Sequence, residues 1–234
     1  MDVLATNIGG LHFDVCQSLL HYVGQQRQER IRKFRRPDDA IRCLFGELLI
    51  RVYAAEEWGI AHRDCILHTD KYQKPYLVNH TRRHFNVSHS GSWVVAAFDN
   101  TKVGIDIEQI VPIDLAMTNM FFAPEEVEQL ENQPSIHRLS YFYRLWTLKE
   151  SYIKADGKGL SIPLDSFRFN LTEDTIHFYS KMDSNIWSFS HFPLDPNYKL
   201  AVCGYGSKAT FPNQVRILPP EEIICRFKRA IVMA

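Results

Sequence analysis

The order of predicted elements constrains the fold of this 234-residue chain most, because a long amphipathic helix followed by several short strands occurs twice. In the first half, apolar residues recur at steps of three and four between Ile41 and Val52, which predicts a helix that begins near Pro37 and Asp38. β-like runs follow this helix at residues 65–69, 75–78, 84–89, 93–99 and 103–110.

The second half shows the same order. Pro124 predicts the start of a short helix, and Ser135 is the expected N-cap of a long helix that ends near Gly157. β-like runs follow it at residues 166–170, 175–181, 186–192 and 198–205. We therefore predict an α+β fold of two similar α/β halves joined near residues 100–104, with a ligand in the groove between them. The segment 219–234 is left open between a packed helix and an appended tail.

Charge and cysteine content exclude several classes of protein. Lys plus Arg equal Asp plus Glu at 27 each, so no overall field attracts the chain to nucleic acid or to an anionic membrane. Five scattered cysteines, Cys16 among them, favour reduced thiols over a disulfide framework or a zinc site. The start of the sequence has no signal-peptide pattern, and no run approaches the roughly 18 apolar residues of a membrane span. We expect a cytoplasmic protein.

Two acids share one face of the predicted strand VGIDIEQI. Strict alternation points Asp106 and Glu108 to one side, together with Gly104, whose missing side chain indicates close approach by another element. An exposed strand face is the simpler interpretation of such a pair. The glycine beside the acids favours a functional one.

A third acid lies on the buried stripe of the second long helix. At about 100° per residue, Glu150 falls on the same stripe as Tyr143, Trp146 and Ile153. A simple helical ion pair with Lys154 would account in part for an acid at this buried position. The stronger hypothesis is that Glu150 meets Asp106 and Glu108 around one hard cation, Mg²⁺ or Mn²⁺ as a substitute, which also binds a pyrophosphate.

Basic residues suited to phosphates occur in three places. The segment 27–42 contains seven arginines and lysines, and its alternatives are a solvated face or nucleic-acid binding. Lys74 lies in the turn-like YQKPY, where it could bind a phosphate or be an exposed turn residue without a ligand. Ser88 and His89 lie at a predicted strand end before Gly91, where they could meet a phosphate.

Long stretches of the sequence resemble the Sfp-type 4′-phosphopantetheinyl transferases (the Gsp/Sfp/HetI/AcpT family). The resemblance rests on KFRRPDDAIRCLFGELLIR, KPY, FNVSHSGSW, VGIDIEQI and FYRLWTLKESYIKADGKGLSIPLDSF. The combination of G-I-D-I-E with W-x-x-K-E-x-x-x-K about forty residues later is its most specific part. The resemblance implies a monomer of two α/β halves, residues 1–102 and 103–234, related by a pseudo-twofold axis, with coenzyme A in the cleft.

The same resemblance implies roles for particular residues. Magnesium ligands of the family match Asp106, Glu108 and Glu150, and its phosphate-binding lysine matches Lys154. Contacts to the 3′-phosphate and the diphosphate match Lys74, Ser88 and His89. The nucleotide end of the cleft matches Arg27, Arg30, Arg42 and Cys43, with only a backbone contact carried over at Cys43, where close relatives usually have threonine.

The implied reaction is the Mg²⁺-dependent transfer of phosphopantetheine from coenzyme A to a serine of an apo carrier protein, with release of adenosine 3′,5′-bisphosphate. This is a transfer of the holo-[acyl-carrier-protein] synthase type, and it serves peptidyl or acyl carrier domains of nonribosomal peptide (antibiotic), polyketide or fatty acid synthases. Glu150 is the expected base, directly or through a metal-bound water, and Glu126 is the second choice. Lys154 and His89 are expected to stabilise the charge on the leaving oxygen. Neither nucleic acid nor membrane is an expected partner.

The carrier protein is expected to dock on the segment 110–122, through Met117 and Met120 or through the adjacent phenylalanines, for which core packing is the alternative. Two other functions remain open from the residues alone. One is a magnesium-dependent nucleotide pyrophosphatase that uses the same acids, and the other is a non-catalytic module that binds coenzyme A.

Overall fold

A computed structural model describes residues 1–172, 175–206 and 209–232, without the side chains of residues 15 and 16. The prediction of a reduced thiol at Cys16 therefore lies outside the described side chains. Four cysteines are described as free thiols: Cys43, Cys65, Cys203 and Cys225. Within the described ranges, no helix combines the length and the apolar character that a membrane crossing requires.

Helices and strands alternate in blocks along the chain. The helices are α1 (Phe13–Gln17), α2 (Gln25–Arg32), α3 (Pro37–Glu56), α4 (Pro124–Glu131), α5 (Ser135–Asp156) and α6 (Pro220–Val232). The strands are β1 (Asp2–Asn7), β2 (Leu67–Thr69), β3 (Pro75–Leu77), β4 (His84–Ser90), β5 (Trp93–Asp99), β6 (Val103–Gln109), β7 (Phe167–Leu171), β8 (Ile176–Ser180), β9 (Trp187–His191), β10 (Tyr198–Tyr205) and β11 (Arg216–Ile217).

Two sheets form the frame of the molecule. The first has the order β11-β1-β5-β4 and packs against α3, and the second has the order β6-β10-β9 and packs against α5. All strand pairs are antiparallel except β1 with β11. The strands β2 with β3 and β7 with β8 form separate pairs. The predicted α+β class, with a long helix on a sheet in each half, is confirmed.

Each long helix forms the centre of its own hydrophobic cluster, and the remaining faces of the two sheets share a third. Phe45 and Leu48 of α3 are fully buried in the first cluster, and Leu145 of α5 in the second. The third cluster contains Val95 of β5 and Ile105 of β6. Alternation along the strands thus gives each sheet one face for its helix and one face for the other half.

The boundaries of the three predicted helices, α3, α4 and α5, agree with the sequence patterns except at one cap. Helix α3 begins at Pro37, and α5 ends at Asp156 before Gly157, which adopts a left-handed φ of 96°. The prediction that Ser135 caps α5 is wrong, because Pro134 is the N-cap and Ser135 is already the first helical residue.

The end of the chain returns to the first half. Strand β11 pairs with β1, and Ile223 and Phe227 of α6 are buried in the cluster around α3. The segment that the sequence left open is therefore a packed helix up to residue 232. The division of the chain at residue 102 stays a prediction, and α6 belongs by its packing to the half that precedes that boundary.

Candidate active site

Strands β4 and β6 belong to different sheets and are joined by side chains instead of a backbone ladder. Alternate residues of β4 accept hydrogen bonds from alternate backbone N–H groups of β6. The three bonds run from Ile105 N to Asn86 Oδ1 (2.9 Å), from Ile107 N to Ser88 Oγ (3.4 Å) and from Gln109 N to Ser90 Oγ (3.1 Å). This arrangement sets the register between the two halves of the molecule.

The same serines hold the two acids of β6. Ser88 Oγ donates to Asp106 Oδ1 over 2.9 Å, and Ser90 Oγ donates to Glu108 Oε2 over 2.8 Å. A hydroxyl can donate one hydrogen bond while it accepts others, so each serine links the β6 backbone to a carboxylate of the same strand. The prediction that the two acids share a face is confirmed.

Lys154 of α5 also contacts the side chains that join β4 to β6. Its Nζ lies 2.5 Å from Asp106 Oδ1 and 3.0 Å from Ser88 Oγ. Asp106 is only 2% exposed, so the ammonium compensates a carboxylate that water scarcely reaches. Burial alone would lower the pKa of Lys154, but the charges of Asp106, Glu150 and Glu108 raise it. The net pKa is raised, and this lysine stays protonated.

Gly104 makes the approach of α5 possible. A Cβ at this position would lie 2.0 Å from the backbone oxygen of Ser151 and 2.5 Å from the backbone nitrogen of Ala155. Only a residue without a side chain fits between β6 and the helix backbone. The predicted close approach at Gly104 is thereby confirmed, and the approaching element is α5 itself.

Glu150 lies one turn before Lys154 and is partly buried. Burial raises the pKa of Glu150 from 4.5 to about 7; Lys154 lowers it, and the charges of Asp106 and Glu108 raise it. Burial, followed by Asp106, also raises the pKa of Glu108, although Ser90 and Trp146 donate hydrogen bonds to its carboxylate. The three predicted acids therefore come close enough to repel one another.

The donor set fits a hard divalent cation in its chemistry. All three acids offer carboxylate oxygens, and Asp106 Oδ2 is buried without a hydrogen-bond partner. In the described part of the chain, however, no three acidic, histidine or cysteine side chains are grouped tightly enough to hold a metal ion as they stand. The Lys154 ammonium, beside Asp106, provides the compensating charge in this conformation.

Arg27 lies at a cavity of about 590 Å³ in the first half of the protein, which Arg30 and Gln73 also line. Arg27 Nε lies 2.7 Å from Glu47 Oε2, and its Nη1 lies 3.5 Å from the Sγ of Cys43. Glu47 is buried and is shared with a second arginine of α3, Arg51. The guanidinium of Arg27 is thus held in place and partly neutralised.

Arg42 lies near the end of β4. Its Nη1 donates to the backbone oxygen of Gly91, and its Nη2 lies 2.6 Å from Asp39 Oδ1. The neighbouring His89 is exposed. Partial desolvation lowers the pKa of His89, and the charges of Arg42 and Lys154 lower it further, so the imidazole is neutral at pH 7. Ser88, His89, Arg42 and Lys154 therefore lie close to one another, although the family resemblance assigns Arg42 to the nucleotide end of the cleft. The roles of these residues stay predictions.

Lys74 requires a correction. Its Nζ donates to the backbone oxygens of Lys154 (2.5 Å), Ala155 (3.0 Å) and Val103 (3.5 Å) at the C-terminal end of α5. An ammonium has three donors, and all three are used within the protein. This geometry contradicts the predicted contact between the Lys74 ammonium and a 3′-phosphate. Burial lowers the pKa of Lys74 to about 8.

Glu126, the second-choice base, also requires a correction. It is fully buried, lies 2.7 Å from Lys149 Nζ, and accepts hydrogen bonds from the backbone nitrogens of Ala123 and Phe169. A carboxylate enclosed in this way cannot contact a substrate hydroxyl. The first lysine of the W-x-x-K-E motif, Lys149, is therefore structural, because it ties α5 to Glu126 and to the carbonyls of Leu164 and Phe167.

Sequence reasoning missed Asn86 and Ser90. Both lie at alternate positions of FNVSHS, and this period-two pattern of side chains that accept hydrogen bonds was the signal available. The sequence-based prediction named only Ser88 from this pattern. The partner strand of such a pattern is a tertiary feature, so the pattern alone could not name β6.

Comparison with known proteins agrees with this site. A family model for the 4′-phosphopantetheinyl transferase superfamily matches residues 102–203, and one for the N-terminal part of 4′-phosphopantetheinyl transferases matches residues 14–101. The first match contains the three acids and Lys154, and the second contains Ser88, His89 and the basic segment. The chain belongs to the 4′-phosphopantetheinyl transferase superfamily.

Curated relatives place the chain within that superfamily. It is 36% identical to 4′-phosphopantetheinyl transferase ffp of Bacillus subtilis over 88% of this chain and 92% of that protein. It is 35% identical to 4′-phosphopantetheinyl transferase Sfp of Bacillus subtilis over 89% and 92%, and 38% identical to psf-1 of Bacillus pumilus over 90% of each. These relatives are of the Sfp type, so the predicted family is confirmed. The expectation of the holo-[acyl-carrier-protein] synthase type is confirmed only for the class of phosphopantetheinyl transferase.

Proposed function

We propose that this protein transfers the 4′-phosphopantetheine group of coenzyme A to a serine hydroxyl of an apo carrier protein, as enzymes of the holo-[acyl-carrier-protein] synthase reaction do, and releases adenosine 3′,5′-bisphosphate. The observation that carries the proposal is the contact between β4 and β6, where Ser88 is hydrogen-bonded to both Asp106 and Lys154. Glu108 and Glu150 are electrostatically coupled to the same pair. In this proposal residues 1–102 supply the nucleotide contacts, and residues 103–234 supply the acids and Lys154.

Asp106, Glu108 and Glu150 are the residues that would hold Mg²⁺, with Mn²⁺ as a substitute. The unpartnered oxygen Asp106 Oδ2 and the charge coupling of Glu108 and Glu150 to Asp106 support this assignment. Bound Mg²⁺ supplies charge neutralisation for the diphosphate of coenzyme A. The remaining steps are assigned to side chains of the protein.

Lys154 and Ser88 are positioned to bind the diphosphate. Lys154 is protonated and partly exposed, so it can contact a phosphate oxygen while it stays beside Asp106. Such a contact stabilises the negative charge that develops on the leaving group. Neutral His89 adds a hydrogen-bond donor on the exposed side of the same group.

Glu150 is the proposed general base. A pKa of about 7 leaves the carboxylate able to accept a proton near neutral pH, which is the range where general-base catalysis is most effective. Its carboxylate accepts no hydrogen bond from the described residues, so it is available to the serine hydroxyl. The positive charge of Lys154, one turn away, stabilises the ionised form of Glu150.

The nucleotide end of coenzyme A is assigned to the first half. Arg27 and Arg30 line the cavity of about 590 Å³, and the backbone of Cys43 lies on the neighbouring helix α3. Arg42, whose charge acts on the nearby His89, stays assigned with Cys43 to the adenine end. The Lys74 ammonium has no part in this assignment.

The acceptor serine is brought by a docked carrier domain, of the peptidyl or acyl type. Met120 is 75% exposed and Met117 is 40% exposed. The neighbouring Phe121 packs against Trp146, with the ring centres 5.8 Å apart, and Trp146 donates to Glu108. Phe121, next to Met120 in the chain, thus connects this segment to Glu108 through Trp146, whereas Phe122 is buried against Phe142 in the core.

One experiment tests the proposal directly. The protein is incubated with an apo carrier domain, coenzyme A and Mg²⁺, and the carrier is examined by intact mass spectrometry. The expected result is a phosphopantetheine adduct on the carrier serine that is absent when a chelator replaces Mg²⁺. Release of phosphopantetheine without a carrier would favour the pyrophosphatase, and binding of coenzyme A with no product would favour the non-catalytic module. The monomeric state and the cytoplasmic location belong to the same proposal.

A further inference from the structure

A second cavity, of about 530 Å³, opens between α5 and the strands β9 and β10. Its polar lining includes Arg144 of α5, His191 of β9 and Lys199 of β10. All of its lining residues lie between positions 144 and 200, whereas the cavity at Arg27 and Arg30 is lined by residues 22–75. The two cavities therefore belong to opposite halves of the protein.

The two cations in this cavity lack acidic partners. In the described ranges, neither the guanidinium of Arg144 nor the ammonium of Lys199 makes a hydrogen bond or an ion pair, although both residues are partly buried. Asp195 also lines the cavity, but its carboxylate already accepts hydrogen bonds from Trp93 Nε1 and from the backbone nitrogen of Asn197. By contrast, the cations Arg27, Arg42, Arg51, Lys149 and Lys154 each face a carboxylate.

The cations also influence their surroundings. Burial, followed by the charge of Arg144, lowers the pKa of Lys199, so the two positive charges are near each other. His191 Nε2 lies 3.1 Å from the backbone oxygen of Arg144, and burial, helped by both cations, lowers the pKa of His191 to about 4. The imidazole is neutral at pH 7, so it neither adds to nor offsets the two positive charges. The cavity is therefore suited to an anionic group.

The position of the cavity indicates where that group comes from. Lys199 is the cross-strand partner of Glu108, and Arg144 precedes Glu150 by six residues, about 9 Å along α5. The cavity therefore lies close to the acids to which the acceptor serine is assigned. The coenzyme A nucleotide is assigned to the other half of the protein, so it is not available to fill this cavity.

We propose that Arg144 and Lys199 bind acidic side chains that flank the acceptor serine of the carrier protein. This inference rests on the proposed transfer reaction and names a determinant of its protein substrate. Opposite charges within a partly enclosed cavity attract more strongly than exposed pairs, and they also exclude partners with basic residues at the same place.

The test uses the full chain with Arg144→Gln, Lys199→Gln and the double variant. The probe is an apo carrier domain with acidic residues within two helical turns of its serine, together with a carrier in which those acids are replaced by amides. Lys228→Gln on α6 is the matched control, because it removes one exposed positive charge far from the cavity. KM for each carrier, KM for coenzyme A and kcat are measured at low and at high salt.

Each single variant is expected to raise KM for the acidic carrier by about fivefold, with a smaller change in kcat and none in KM for coenzyme A. The difference is expected to shrink at high salt and to vanish with the amide carrier. Unchanged KM for the acidic carrier would overturn the inference, and so would a rise in KM for coenzyme A alone. If the unmodified protein transfers nothing to either carrier, the proposed function itself fails.

Discussion

Ser88 and Asp106 are joined by a hydrogen bond of 2.9 Å that links strand β4 of one sheet to strand β6 of the other. The bond lies inside the molecule, since both residues are buried, and Lys154 contacts both partners. A single contact thus combines the attachment of the two halves with the placement of an acid. Substitutions here are expected to affect stability and transfer together.

Glu150→Gln should reduce transfer by about 10³-fold and leave the fold intact. The pKa of Glu150 is raised from 4.5 to about 7, so the folded, metal-free protein resists ionisation of this group. The unfolding free energy of the unsubstituted protein should therefore fall by on the order of 2 kcal/mol between pH 4.5 and pH 7 relative to the variant. Thermal melts in chelator across this range measure the difference. Parallel melting curves would contradict the raised pKa, and near-normal turnover would remove the role as base.

Lys154→Met should destabilise the protein by about 3 kcal/mol, because it leaves Asp106 buried without its cation. Lys158→Met is the control, since Lys158 is more than half exposed in its pair with Asp156 and should cost less than about 1 kcal/mol. Urea unfolding of both variants gives the comparison. Equal costs for the two lysines would mean that water compensates Asp106.

Lys74→Ala should change KM for coenzyme A and KM for dephospho-coenzyme A by the same factor. The side chain serves three backbone carbonyls at the end of α5, and its loss is expected to lower stability by about 2 kcal/mol. Initial rates with both substrates and a thermal melt are the measurements. A selective loss of affinity for coenzyme A would restore the 3′-phosphate contact that the structure contradicts.

Gly104→Ala should cost about 3 kcal/mol or more, since the new methyl group would meet the backbone of α5 at Ser151. Gly24→Ala is the matched control, because a Cβ at Gly24 meets nothing within 4 Å. Denaturant unfolding of both variants distinguishes close packing from a general effect of removing glycine. Similar midpoints would show that α5 can move away from β6 without loss.

Met120→Asp should raise KM for the carrier protein by about tenfold and leave KM for coenzyme A unchanged. Met120 is the more exposed of the two methionines in the segment 110–122, so the substitution does not disturb the core. Met182→Asp, at a residue that is 76% exposed and lies outside the segment 110–122, is the control. Unchanged carrier kinetics for Met120→Asp would place the docking surface elsewhere.

The sequence alone was sufficient for helices α3, α4 and α5, for strands β2 to β10 and for the faces of the main acids, but it did not predict α1, α2, β1 or β11. Strict alternation placed Asp106 and Glu108 on one side of a strand, and helical periodicity placed Glu150 on a buried stripe. These patterns are local, because a side chain's face depends only on its position within its own helix or strand. The family resemblance added Lys154 and the phosphate contacts.

Tertiary structure decided which distant segments meet. Whether Lys74 faces a phosphate or the end of α5, whether Glu126 meets solvent or Lys149, and which strand lies opposite Ser88 all depend on how the two halves pack. Local periodicity carries no information about partners many residues away, since the burial and charge of such contacts arise only after the sheets come together. The unpaired cations Arg144 and Lys199 became visible for the same reason.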